Sequence, residues 1–275
     1  MNLLQAFMLG IIQGLTEFIP VSSTAHLLIT QKLLGITDPF VFSFLVLVQL
    51  GTIVSLIVFF WKDLLEIVLA TLKNLGGLGN FNKLPDNAKM GWYIVIATIP
   101  ALLAGYLLKD AVEALFKTPL VEAAIRLLTA AALLALAERF GRRTRQLNSM
   151  IWLDALVIGV MQIVAVFPGA SRSGTTISGG MFRGLDRPAA ARFAFLMSVP
   201  VMLAAGLYQS LDVIRMPGLG AFLPVIAIGF VTAGIVGWFA IKWLMNYLNQ
   251  HSLYIFAAYC AVVGVLCVAL QFMLG

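Results

Sequence analysis

The chain has 275 residues, of which 61% are hydrophobic and 11% charged. Its mean hydropathy is +0.99. A soluble domain carries roughly 25% charged residues, so this composition excludes one and calls for lipid. The net charge of +6 does not read as a nucleic-acid surface, because the cations fall in loops between apolar stretches, as the positive-inside rule requires. There is no basic n-region and no small-residue cleavage site, so no cleavable signal peptide is expected.

The first apolar stretch, residues 3–19, runs into a polar interruption. It reads Gln13-Gly-Leu-Thr-Glu17-Phe-Ile-Pro20-Val-Ser-Ser23-Thr-Ala-His26. The apolar piece after it, residues 27–34, is too short to cross a bilayer. Spans of about 20 residues follow at 41–60, 91–108 and 120–137. A second interrupted stretch then begins at residue 152. Its interruption reads Gln162-Ile-Val-Ala-Val-Phe-Pro168-Gly-Ala-Ser171-Arg172-Ser-Gly-Thr-Thr176, and residues 177–182 after it are again short. Three more spans follow at 189–208, 220–241 and 253–273.

The two interruptions echo each other. Both read Gly-x-x-Gln, a short apolar run, then Pro-x-x-Ser. Phe42-Ser-Phe-Leu45 and Phe193-Ala-Phe-Leu196 repeat at the same place after each. The predicted fold is an all-α polytopic membrane protein: six transmembrane helices plus two re-entrant helical hairpins. Residues 1–138 form the first repeat and 150–275 the second. Three spans per repeat is odd, so the second must be inserted upside down. Such inverted repeats place their site at paired broken helices near the midplane. Irregular backbone is tolerated there only inside protein or a water-filled cavity.

One face collects Lys62, Lys73, Lys83, Lys89, Arg139, Arg142, Arg143, Arg145, Arg183, Arg187, Arg192 and Lys242. The other collects Lys32, Lys109, Lys117 and Arg215. The richer face is expected to be cytoplasmic, which turns both termini and the first hairpin's mouth outward. The Arg139–Arg145 cluster reads as a topology signal or as a contact for anionic lipid headgroups. Cys260 and Cys267 lie seven apart in the last span, too far apart for a disulfide, and read as small apolar packers.

The polar groups point to chemistry on an anion. Glu17 is an intramembrane carboxylate, and such a group is a functional candidate by default. Gln13 lies one turn earlier on the same face and can support Glu17 or contact a ligand. Pro20 ends the first hairpin helix. Ser22, Ser23 and Thr24 suit a helix N-cap, and a helix N-terminus also binds anions. His26, one turn on, suits a nucleophile, a proton donor or a phosphate contact. Around Arg172, two glycines and the hydroxyls of Ser171, Ser173 and Thr176 make a backbone able to wrap an anion, and the guanidinium can hold phosphate by paired N–H bonds. Glu122 and Arg126, four apart, are expected to pair. Asp154 has no evident partner.

Gln13-Gly-Leu-Thr-Glu17, Pro20-Val-Ser-Ser-Thr-Ala-His26, Gln49-Leu-Gly and Pro168-Gly-Ala-Ser-Arg-Ser-Gly-Thr-Thr176 closely resemble the motifs of the bacterial undecaprenyl-diphosphate phosphatases, the bacitracin-resistance family. The resemblance runs the whole length. It implies hydrolysis of undecaprenyl diphosphate to the carrier monophosphate in the bacterial plasma membrane. Its functional positions carry over to Glu17, Ser23, His26, Ser171, Arg172 and Thr176. It also implies a divalent cation, Mg²⁺ or Ca²⁺, with Glu17 as the one firm carboxylate for it. Gln13 stands where some relatives have Glu, so a charged role there is in doubt. A phosphatidic-acid-type phosphatase needs a second histidine soon after the Ser-Arg pair, and none follows Arg172. A secondary transporter or lipid flippase would suit the repeat equally well. The attacking group stays open among Ser23, His26 and a water activated by Glu17. Because a helix start already accounts for Ser23 as an anion contact, water is favoured. Homodimerisation and the lipid's chain length are open too.

In a background lacking Cys260 and Cys267, membrane-impermeant thiol reagent should label a cysteine added after Gly275 and spare Thr144→Cys. The reverse pattern overturns the orientation.

Overall fold

The computed structural model describes residues 1–38, 40–108, 118–166, 170–214 and 219–274. Pro168 and Gly169 of the second interruption therefore lie outside the described residues, as do Lys109, Lys117 and Arg215. The described residues are helical, apart from connections and one isolated bridge between Arg145 and Leu185. Among the described residues, six helices are long and apolar enough to cross a membrane.

The first apolar stretch forms α1, Leu3–Phe18. Asn2 opens it with a reciprocal cap: its side chain accepts from Gln5 N–H while the Gln5 side chain accepts from Asn2 N–H. The helix ends where Pro20 forces the residue before it out of helical geometry: Ile19 is extended, at φ −62° and ψ 131°. Helix α2, Ser23–Leu33, follows. Then come α3 (Val41–Phe59), α4 (Trp61–Lys73), α5 (Asp86–Leu107) and α6 (Pro119–Phe140). The second half runs α7 (Trp152–Val166), α8 (Arg172–Phe182), α9 (Arg187–Ile214), α10 (Leu219–Leu248) and α11 (Tyr254–Leu274). At about 1.5 Å per residue, α1, α2, α7 and α8 are each too short to cross a bilayer.

Several helices outrun their apolar spans. Helix α10 continues past Lys242 to Leu248, because long basic side chains reach the interface without ending the backbone ladder. Helix α4 was invisible as a span. It is 13 residues long and carries Lys62, Asp63, Glu66 and Lys73, yet it exposes Trp61, Val68 and Leu72. That is the pattern of a helix lying in the interface.

Helix α1 packs along α10, and α7 along α5. Helix α3 also lies on α10, and α9 on α5, while α6 pairs with α11. Small residues let α1 approach α10 closely. A Cβ on Gly14 would fall 2.8 Å from Val236 Cβ and 2.9 Å from the Ala233 carbonyl oxygen.

At the basic end, two buried carboxylates gather arginines, and one of them, Glu138, joins the two halves of the chain. Asp154, expected to lack a partner, accepts from Arg145 Nη2 at 2.6 Å, Arg183 Nε at 2.7 Å and the Ile151 amide at 3.0 Å. Glu138 accepts from Arg187 Nε at 2.6 Å, from Arg143, and from the Leu253 amide at 2.7 Å. Two arginines of the 139–145 cluster are thus tied to buried acids, whereas Arg139 and Arg142 stay exposed. Hydrogen bonding to Asp154 raises Arg145 above the ordinary guanidinium pKa, so that pair stays ionised. The expected Arg126–Glu122 pair is present at 2.9 Å. Cys260 and Cys267 are free and buried.

Gly14→Leu should destabilise the protein by about 1–3 kcal/mol through overpacking, lowering the thermal midpoint in detergent. Gly105→Leu should leave it unchanged, since a Cβ at Gly105 meets nothing within 4 Å.

Candidate active site

The end of α1 meets the start of α8. Glu17, in the last turn of α1, and Arg172, the first residue of α8, form an ion pair at 2.7 Å between Oε1 and Nη2. A Cβ on Gly174 would sit 3.7 Å from Pro20 Cβ, so the first turn of α8 lies against the first break. The Glu17 side chain is 7% exposed and that of Arg172 19%.

The second Glu17 oxygen, Oε2, accepts from Gln13 Nε2 at 3.0 Å and from Ser23 Oγ at 2.6 Å. Spacing explains the first contact, since Gln13 lies one turn before Glu17 on the same face. The Pro20 break explains the second, because it folds the start of α2 back toward the end of α1. Glu17 therefore holds three polar partners from three helices. Arg172 Nη1 is buried and has no partner among the described residues. That guanidinium has a donor unused in a site where an unmet hydrogen bond is costly.

The remaining sequence candidates are arranged differently. Ser22 is buried, at φ +67°, a region L-residues seldom occupy. It sits at the N-cap position of α2, yet its side chain makes no capping bond. The cap expected of such residues forms instead in the second hairpin, where Ser171 Oγ accepts from the Gly174 amide at 3.2 Å. Ser173 Oγ lies 3.2 Å from Ser171 Oγ, and Thr176 Oγ1 donates to the Arg172 carbonyl at 2.8 Å. These hydroxyls shape the first turn of α8 around Arg172. His26 does not pair with Glu17. Its Nδ1 is 2.9 Å from the Ser22 carbonyl oxygen and its Nε2 is 2.8 Å from the Tyr259 hydroxyl. Gln162, counterpart of Gln13, is 2% exposed, with no partner for either amide atom among the described residues.

Comparison with known proteins shows the family. The family described as bacitracin resistance protein BacA matches residues 6–266. A protein of Chloroherpeton thalassium named undecaprenyl-diphosphatase is 39% identical over 98% of this chain and 97% of its own. Proteins of the same name from Mycobacterium sp. (strain KMS) and Chlorobium phaeovibrioides are 40% and 41% identical, over 96% and 97% of this chain and 95% and 96% of their own. The chain belongs to the BacA family.

In this BacA-family chain the match takes in both breaks and α11 up to residue 266. Tyr259 was missed by sequence reasoning. It is one aromatic residue in an apolar span, and nothing in its neighbours marks it as the partner of a histidine 233 positions away.

Proposed function

We propose that this chain hydrolyses the terminal phosphate of undecaprenyl diphosphate, giving undecaprenyl phosphate and inorganic phosphate, and so returns the lipid carrier to cell-wall synthesis. The observation that carries this reading is the Glu17–Arg172 pair between two broken helices, with Arg172 Nη1 left over. A phosphate oxygen supplies the acceptor that nitrogen lacks, and guanidinium geometry suits a phosphate better than a point charge would. The near-full-length likeness to proteins named undecaprenyl-diphosphatase supports the choice of lipid.

Ser23 Oγ and Glu17 Oε2, 2.6 Å apart, stand as nucleophile and base within hydrogen-bond reach. This contact moves the preference from direct water attack to Ser23. Glu17 takes the hydroxyl proton as Ser23 Oγ attacks the terminal phosphorus. The bond from that phosphorus to the bridging oxygen breaks, and the lipid monophosphate leaves. Glu17 passes the hydroxyl proton to the departing lipid phosphate. Water then attacks the phosphoseryl ester while Glu17 takes its proton and returns it to Ser23 Oγ, and inorganic phosphate departs. Arg172 neutralises charge on the phosphoryl oxygens, which is most of what phosphoryl transfer needs.

Among the described residues no three His, Cys, Asp or Glu side chains gather to hold a metal ion. Glu17 together with diphosphate oxygens still makes a fitting donor set, because Mg²⁺ is commonly held by one or two carboxylates plus substrate phosphates. Such an ion, Mg²⁺ or Ca²⁺, supplies further charge neutralisation when bound.

The helix packing supports two re-entrant hairpins in an inverted repeat. Matched in chain order, α1, α2, α3, α5 and α6 correspond to α7, α8, α9, α10 and α11. The α1–α10 contact then has its counterpart in α7–α5, and α3–α10 in α9–α5. Phe44 and Phe195, equivalent in the echoed motif, are both buried. With the Lys/Arg-rich face cytoplasmic, the first hairpin opens outward in the bacterial plasma membrane. A flippase or transporter would use the same repeat, but the Ser23–Glu17 contact favours chemistry.

Purified protein in detergent, with no second compartment, should release inorganic phosphate from undecaprenyl diphosphate. A well-folded wild-type protein that releases none overturns the reading. Arg172→Lys keeps the charge but loses the planar fork, and should lower turnover roughly tenfold or more. On a substrate with a chiral terminal thiophosphate in labelled water, the two-step route gives net retention. Inversion overturns Ser23 as the attacking group in favour of water.

A further inference from the structure

We propose that Tyr259 is the positioning residue for His26: it fixes the ring's pose and reserves Nε2 as the nitrogen through which His26 exchanges protons. The proposal rests on the reading of His26 as part of the phosphatase site.

The hydrogen-bond roles follow from what each atom can do. His26 Nδ1 lies 2.9 Å from the Ser22 carbonyl oxygen. A carbonyl oxygen accepts only, so Nδ1 carries the hydrogen. In a neutral imidazole the other nitrogen is then a bare lone pair. That nitrogen, Nε2, lies 2.8 Å from the Tyr259 hydroxyl, so the phenol donates to it. The two rings are also nearly parallel, 8° apart, with centroids at 5.7 Å. The rings thus lie side by side in nearly one plane, and the imidazole is held at both nitrogens.

The holding groups are themselves fixed. The carbonyl that takes Nδ1–H belongs to Ser22, whose backbone sits in the left-handed region at φ +67°. Strain of that kind persists only where the surroundings over-determine it. Tyr259 stands on α11, and its neighbour Cys260 places Sγ 3.8 Å from the Pro20 carbonyl oxygen. Helix α11, from the second half, therefore lies along the first break and brings the phenol to the ring. With Nδ1 tied to a backbone carbonyl, proton traffic at His26 passes through Nε2. The Tyr259 hydroxyl is the group that meets it there. Tyr259 is 45% exposed, so the hydroxyl is not sealed in the core.

The test uses full-length protein in detergent carrying His251→Gln, which leaves His26 as the one histidine. With nitrogen-15 in the ring, at about pH 8, where an imidazole is neutral, the spectrum should show a protonated Nδ1 and a hydrogen-bonded, unprotonated Nε2. Tyr259→Phe keeps the ring and should keep the thermal midpoint. Its Nε2 signal should move to that of a lone pair without a donor, and kcat should fall about tenfold, part of the worth of a positioned acid or base. KM should stay within about twofold, because substrate binding is untouched. An Nε2–H tautomer in the parent overturns the proposal. So does parental turnover in Tyr259→Phe when His26→Asn is impaired. Parental turnover in His26→Asn sinks instead the reading of His26 on which the proposal stands, whatever the spectra show.

Discussion

The ion pair between Glu17 and Arg172 is the contact on which the rest of the site depends. Its partners are 155 residues apart in sequence and sit at the ends of two interrupted helices. Either charge alone in an apolar interior is expensive, and removing one partner leaves the other uncompensated. A buried pair is nonetheless a poor way to gain stability, since apolar side chains of similar volume often do as well or better. The pair is thus better explained by the chemistry proposed for it than by what the fold needs. It holds a carboxylate and a guanidinium ready beside a hydroxyl, with one guanidinium nitrogen free for an anion.

Helix packing holds this pair in place. Helix α1 is pressed on α10 through Gly10 and Gly14, which sets the height of Glu17 one turn later. Helix α8 is set by the Ser171 cap and its clustered hydroxyls. Helix α1 lies against α10, and α7 against α5. A broken helix facing lipid would leave backbone N–H and C=O groups unmet, whereas one wrapped by other helices can satisfy them. At the basic end, Asp154 and Glu138 each gather two arginines and a backbone amide. The Asp154 cluster ties the start of α7 to the end of α8, away from Arg172, and the Glu138 cluster ties α6 to the starts of α9 and α11.

The six spans were legible because crossing lipid demands apolar length, and that demand is written residue by residue. Their ends were less legible. Apolarity stops at the first charge, but the hydrogen-bond ladder of α10 runs on through Lys242. Helix α4 escaped because an interfacial helix alternates charge with exposed apolar side chains and is too short to register as a span. The polar kit of Gln13, Glu17, Ser23 and Arg172 was legible as well, since such groups are rare and costly at membrane depth.

The sequence by itself determined where the chain crosses lipid, where two helices break, and which polar side chains stand at the breaks. Each of these follows from local composition, spacing or the geometry of proline. Only the tertiary structure decided the partners. Ser23 faces Glu17 and donates to it, while His26, three residues on, turns to Tyr259. Asp154, solitary in sequence, is held by Arg145 and Arg183, and the basic cluster is partly internal. A side chain's type states what it can bond to, but which group it meets is set by helix packing between residues far apart in the chain.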